Sequence, residues 1–146
     1  MDSMAGSNGP DRITYYVHES AGLEDREING WGTNWQQETV RYTHTTNGAV
    51  STITDAKGNV TAYAYDAFQR PTRVCYVSSA SACPTATSNY QAFVYDNAGN
   101  VTSYTNRAAE VFGFSYDSLN RMSVKTVPTS GYPCATSITP TICKVA

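Results

Sequence analysis

Four aspartates, Asp55, Asp66, Asp96 and Asp117, recur at the heads of four-residue turns, and they are the first residues whose type and spacing could do chemistry. Carboxylates in glycine-bearing loops can hold calcium, but a calcium site needs several oxygen donors from one loop. These acids stand singly, one to a turn, so capping of the turn explains them better than a metal. Two histidines, His18 and His44, could serve as acid–base groups or metal ligands. Each stands where Tyr65, Tyr95 and Tyr116 stand in the better-preserved copies, at the end of a strand, so a structural role is preferred. No Gly-x-Ser-x-Gly elbow, phosphate-binding glycine loop or His-Glu-x-x-His helix is present. No catalytic, cofactor or metal residue is assigned, and the chain is read as not an enzyme. An autonomous toxin enzyme would need a convergent polar site that the sequence does not offer.

The cysteines fall into two local pairs, Cys75 with Cys83 and Cys134 with Cys143, each across a short loop of Pro, Thr and Ser. Neither spacing is that of a zinc knuckle. Two local disulfides stapling hairpin loops are preferred over free thiols, the compartment deciding between them. Trp31 and Trp35 lie in a glycine-rich segment that starts at Asn29. Capping of an exposed sheet edge is the preferred account of both, and a ligand platform is the alternative.

The elements that position these residues are short strands and four-residue turns. From Thr52 to Arg73 the chain reads as strand, turn, strand, turn, with turns Asp55-Ala56-Lys57-Gly58 and Asp66-Ala67-Phe68-Gln69. Asp at the first turn position accepts a hydrogen bond from the backbone two residues on, and Gly at the fourth enters the left-handed region without a Cβ clash. The structural turn residues are therefore Asp55, Gly58, Asp66, Asp96, Gly99, Asp117 and Asn120. Gln69, Ala109 and Asn120 stand where Gly would be easiest, and Gln and Ala tolerate that conformation less well than Asn.

Shifted by 51 residues, the stretch from His44 to Arg70 overlies that from Tyr95 to Arg121 without a gap. Gly48 falls on Gly99, Tyr65-Asp66 on Tyr116-Asp117, and Arg70 on Arg121. This is an internal repeat, and it outranks any local motif. Thr61, Tyr63 and Tyr65 become Phe112, Phe114 and Tyr116, a face expected to be buried. Ala62 and Ala64 become Gly113 and Ser115 on the opposite face, where small residues let another layer or solvent approach. Arg70 and Arg121, following equivalent turns, are expected to pair with acids or to lie across a Tyr ring.

Bulk properties agree with sheet. The 146 residues include 11 Tyr and 10 Gly, and only 15% are charged, which favours β structure over helix. A net charge of -2 gives no basic field for nucleic acid. No apolar run approaches bilayer length, and the first ten residues lack the basic start and apolar core of a signal peptide. The expected organisation is a flexible lead-in over 1–11, a repeat β region over 12–128 with an inserted loop at 74–90, and an irregular tail over 129–146. The fold class is all-β, with repeated antiparallel hairpins forming a twisted, open sheet.

Tyr65-Asp66-Ala67-Phe68-Gln69-Arg70, Tyr95-Asp96-Asn97-Ala98-Gly99-Asn100 and Tyr116-Asp117-Ser118-Leu119-Asn120-Arg121 resemble the YD-repeat of the RHS family. Thr54-Asp55-Ala56-Lys57-Gly58-Asn59-Val60-Thr61 is similar to the connecting half of the same repeat. The resemblance runs from about Ile13 to Pro128. It implies a spiralling β-sheet that in full-length members closes into a shell around a C-terminal toxin or other cargo, with animal teneurins using a similar shell in adhesion. The family's self-cleaving aspartyl plug has no counterpart here, so no catalytic residue carries over. The function implied is a non-catalytic shell segment for toxin encapsulation and delivery or for cell-surface interaction. Its partners would be further RHS repeats and a toxin or cargo domain of a longer chain, secreted or on a bacterial cell surface. The alternative is a small carbohydrate-binding or adhesive module using exposed Trp and Tyr.

Overall fold

The computed structural model describes residues 13–78, 83 and 89–128. Ten antiparallel strands hydrogen-bond in one sheet whose order follows the chain, β1 to β10. They are β1 Thr14–His18, β2 Glu24–Asn29, β3 Gln37–His44, β4 Val50–Asp55, β5 Val60–Tyr65, β6 Pro71–Val77, β7 Tyr90–Tyr95, β8 Val101–Thr105, β9 Val111–Tyr116 and β10 Met122–Thr126. Lengths of five to eight residues suit the steps of 10 or 11 residues from Asp55 to Asp66, Asp96 to Asn106 and Asn106 to Asp117. The expected loop at 74–90 is shorter than that: Val74 to Val77 complete β6, and Tyr90 opens β7. Val74, Cys75, Tyr76 and Val77 are β-branched, aromatic or readily buried, so the strand runs on until Ser78. The expected lead-in, the tail and the Cys134–Cys143 pair lie outside the described residues.

The chain divides into two compact units, Met1–Ala64 with Cys75–Thr85, and Tyr65–Val74 with Ala86–Ala146. In the first, the register runs Thr43↔Thr52↔Ala62 across β3, β4 and β5. Thr52 and Ala62 are buried, Ala62 to 0% exposure, and the Thr52 hydroxyl is satisfied by that of Thr43 at 2.6 Å. Val60 on the same side of β5 is also buried, as is Cys75, which is joined to Cys83 by a disulfide. Thr61, Tyr63 and Tyr65, expected to form the buried face of β5, are only half-buried. The expectation for this strand is thus reversed. A Tyr ring projects beyond its neighbours on a sheet surface, whereas Ala62 can lose all its exposure only where other atoms approach to methyl distance.

In the second unit Phe112, Phe114 and Tyr116, expected to be buried like their counterparts on β5, are likewise only half-buried, and they lie among other large side chains. Phe93 and Tyr104 pair across β7 and β8, Tyr104 and Phe112 across β8 and β9, and their ring centroids are 5.2 and 5.9 Å apart. Gln91 Nε2 donates to the Tyr104 hydroxyl at 2.7 Å, so the polar tip of the central ring is satisfied. On the opposite side Val111 and Ser115 are exposed.

Candidate functional site: the turn rows and the aromatic face

Five turns share one hydrogen-bond design. At Asp66, the Gln69 N–H donates to the Asp66 carbonyl at 3.0 Å, and the Asp66 N–H donates to the Arg70 carbonyl at 3.0 Å. One carboxylate oxygen, Oδ1, accepts from the N–H groups of Phe68 and Arg70 at 2.9 and 3.0 Å, while Oδ2 accepts from Arg70 Nε at 2.7 Å. Asp55, Asp96 and Asp117 repeat this with Asn59, Asn100 and Arg121 four residues on. The Asn106 turn keeps it with reversed polarity: Asn106 Nδ2 donates to Glu110 Oε2 at 2.7 Å. An acid is always matched by a donor four residues later, and the one amide is matched by an acid.

The carboxylates are thereby held in their charged form. Asp55 and Asp96 lie below the usual aspartate range chiefly because Asn59 and Asn100 donate to them, side chain and backbone together. Asp117 is lowered first by the Arg121 N–H. At Asp66 desolvation is the largest single influence and opposes ionisation, but the combined donors of Arg70 and Phe68 outweigh it. Each of these carboxylates already accepts donors from its own turn on both oxygens, and among the described residues no three His, Cys, Asp or Glu side chains gather as a metal site.

The position three residues after each turn acid or amide is left-handed. Gln69, Ala109 and Asn120 have φ of 60°, 61° and 58°, and Gly58 and Gly99 have 82° and 90°. All three non-glycine positions stand out in the sequence. A second feature does not: a β-bulge beside the turns that follow β1, β3, β7 and β9. In the second unit Thr102 and Ser123 are the extra residues, and their hydroxyls donate to the Val94 and Ser115 carbonyls at 3.3 and 3.1 Å. Both stand six residues after their turn acid, but that step alone does not mark a bulge, since Thr61 stands at it from Asp55 and pairs in register with Ile53.

Neighbouring turns are tied to each other. In the second unit the Arg70 guanidinium carbon lies 4.5 Å from the Tyr95 ring centroid, and its Nη1 donates to the Asp96 carbonyl at 3.4 Å. Tyr95 donates its hydroxyl to the Pro71 carbonyl at 2.9 Å, and Tyr116 does the same to Val101 at 2.8 Å. Asn100 reaches Asn120 Oδ1 at 3.0 Å. In the first unit His44 Nδ1 lies 3.1 Å from Glu19 Oε1, the corresponding turn-to-turn contact. His44 is drawn into a structural tie, while His18 is exposed.

The aromatic face of the second unit ends in an apolar hollow of about 410 Å³, lined by Phe93, Val101, Tyr104, Phe114, Tyr116 and Met122. The bulges help build it, because they pair Val101 with Tyr95 and Met122 with Tyr116. In the first unit Trp31 stacks on Tyr15 at 4.3 Å with ring planes 19° apart, whereas Trp35 is 74% exposed. The structure therefore separates the two Trp that the sequence analysis treated alike.

Repeated Asp-led turns, left-handed fourth positions and an all-antiparallel sheet in chain order define a repeat-built, all-β protein. The chain belongs to the teneurin YD-shell family, whose model matches residues 24–132. Its role is accordingly that of a structural shell element. No curated protein matches it. Among solved structures it is similar to the crystal structure of TcdB2-TccC3, with a TM-score of 0.64 and 21% identity over 79% of this chain. The crystal structure of TcdB2-TccC3 without its hypervariable C-terminal region gives 0.65 and 18% over 84%. The Photorhabdus luminescens Tc holotoxin pore gives 0.62 and 21% over 79%. At these identities the likeness is one of fold, and this chain spans 6% of the length of each of those chains.

Proposed function

We propose that the chain is a segment of the wall of an RHS-type shell that encloses and delivers a toxin or other cargo carried on a longer, secreted or surface-exposed chain. The observation that carries this reading is the aromatic row Phe93–Tyr104–Phe112, which is only half-buried although it is the main apolar assembly of its unit. A face of this kind gains stability from what is stacked or wrapped against it, as in other repeat proteins. The last strand in the sheet order, β10, supports the same reading, because each of its residues is exposed. The partners of such a segment are further YD repeats along the sheet and a cargo domain, and the segment contributes walls rather than catalysis.

Sedimentation velocity of the isolated chain tests this. Exposed strand edges and an uncovered aromatic face predict concentration-dependent association. A compact monomer across the same concentrations, unfolding in one cooperative transition, would count against a wall segment.

A further inference from the structure

Residues 30–37, Gly-Trp-Gly-Thr-Asn-Trp-Gln-Gln, carry no charge and place two indoles among one hydroxyl and three amides. The segment is rigid by its own hydrogen bonds. Thr33 Oγ1 donates to the Gly30 carbonyl at 2.6 Å and accepts from the Trp35 N–H at 3.2 Å. Gly32 N–H donates to Gln36 Oε1 at 3.3 Å, and Thr33 and Gln36 close successive backbone turns. Gly30 is required, because it sits at φ 64° and a Cβ there would lie 3.0 Å from the Trp35 carbonyl oxygen.

This fixed loop stacks one indole, Trp31, which stays 40% exposed, and leaves the other, among the described residues, without a ring against it. Trp31 lies against Tyr15 of β1, while Trp35, at 74% exposure, stands in solvent between the exposed amides of Asn34 and Gln36. We infer that Trp35 is the stacking platform of a site for a neutral oligosaccharide. The apolar C–H face of a pyranose suits a flat indole. Sugar hydroxyls both donate and accept, which amides and hydroxyls can answer and which charged groups answer only one way. A loop already ordered loses little freedom on binding. An anionic glycan or a nucleic acid would need cations, and the loop has none. The site is independent of the shell reading, since it uses neither the aromatic row nor the turn ties.

The chain has only two Trp, both in this loop, so fluorescence excited selectively at the indoles reports on it alone. The full chain is titrated with cellohexaose, chitohexaose and mannohexaose, and with heparin as the anionic comparison. At least one neutral hexasaccharide should give a saturable change at millimolar concentration. Trp35→Ala should weaken that binding by at least about tenfold, read by ligand-detected NMR with unchanged far-UV circular dichroism, while Trp31→Phe should retain it. The inference is overturned if none of the three neutral sugars binds, if only heparin binds, or if binding survives in folded Trp35→Ala.

Discussion

Arg70 closes its own turn and covers the ring of Tyr95 in the next, with the guanidinium carbon 4.5 Å from the ring centroid. Tyr95 in turn donates its hydroxyl to the Pro71 carbonyl, one residue beyond Arg70. The two turns are therefore clamped in both directions. Tyr95→Phe keeps the ring beneath the cation and should cost about 1 kcal/mol, the net worth of one hydrogen bond. In a double-mutant cycle, Arg70→Ala and Tyr95→Leu should couple by about 0.5–1 kcal/mol in urea unfolding. Additivity of the two changes would show that the stacked geometry contributes nothing.

Left-handed backbone at non-glycine residues can be relieved by glycine. Ala109, at φ 61°, has no side-chain bond that would be lost, so Ala109→Gly should stabilise by about 1 kcal/mol. Gly58→Ala should destabilise by a similar amount, about 1–2 kcal/mol, although a Cβ there meets nothing within 4 Å. Thermal unfolding of the pair separates backbone strain from steric clash. At Asn120 the gain should be offset, because its Oδ1 holds Asn100.

Acid should loosen the turns. Asp55, Asp66, Asp96 and Asp117 are all lowered in the folded state, so their contribution is present above the ordinary aspartate value of 3.8 and is lost as pH falls through the folded values below it. Circular dichroism followed downward from neutral pH should show little change until about pH 4 and then unfolding. Asp96→Asn should keep the turn, as Asn106 does with its own partner, and flatten the acid dependence. The reverse exchange, Asn106→Asp, sets two carboxylates against each other at Glu110 and should destabilise at neutral pH but less so in acid.

The buried side of β5 is the side of Ala62. Ala62→Leu should cost about 1–3 kcal/mol through overpacking. Gly113→Ala at the equivalent repeat position should be tolerated, because the new Cβ would make only an ordinary 3.5 Å contact with Thr126 Cβ. Equal effects in urea unfolding would restore the Tyr63 side as the packed one.

The hairpin plan was legible because each turn is a local contract among four or five residues. Asp66, Gln69 and their copies have to satisfy backbone groups within the turn, and that need shows in the amino-acid types. The pairing of Arg70 and Arg121 with acids could be read from the sequence, and Asp66 and Asp117 are their partners, but its general form, a complementary residue four positions on as in Asn106–Glu110, was equally visible and went unread. Burial was not legible at β5, because alternation separates two faces without saying which is covered. Ala62 lies at the bottom of that ambiguity: a methyl can be a solvent-facing gap or the tightest contact in the sheet. The difference between Trp31 and Trp35 was hidden for the same reason, since it depends on Tyr15, whose ring centroid lies 4.3 Å from that of Trp31 but which stands sixteen residues back in sequence.

The central claim is that this chain is wall and not a free-standing module, and electron cryomicroscopy of the entire gene product that contains it tests this most directly. The account predicts a hollow particle in which these ten strands continue into further YD hairpins, with the Phe93–Tyr104–Phe112 row covered by neighbouring structure or cargo. A separate, closed β module joined to the rest by a linker, with that row still facing solvent, would contradict it.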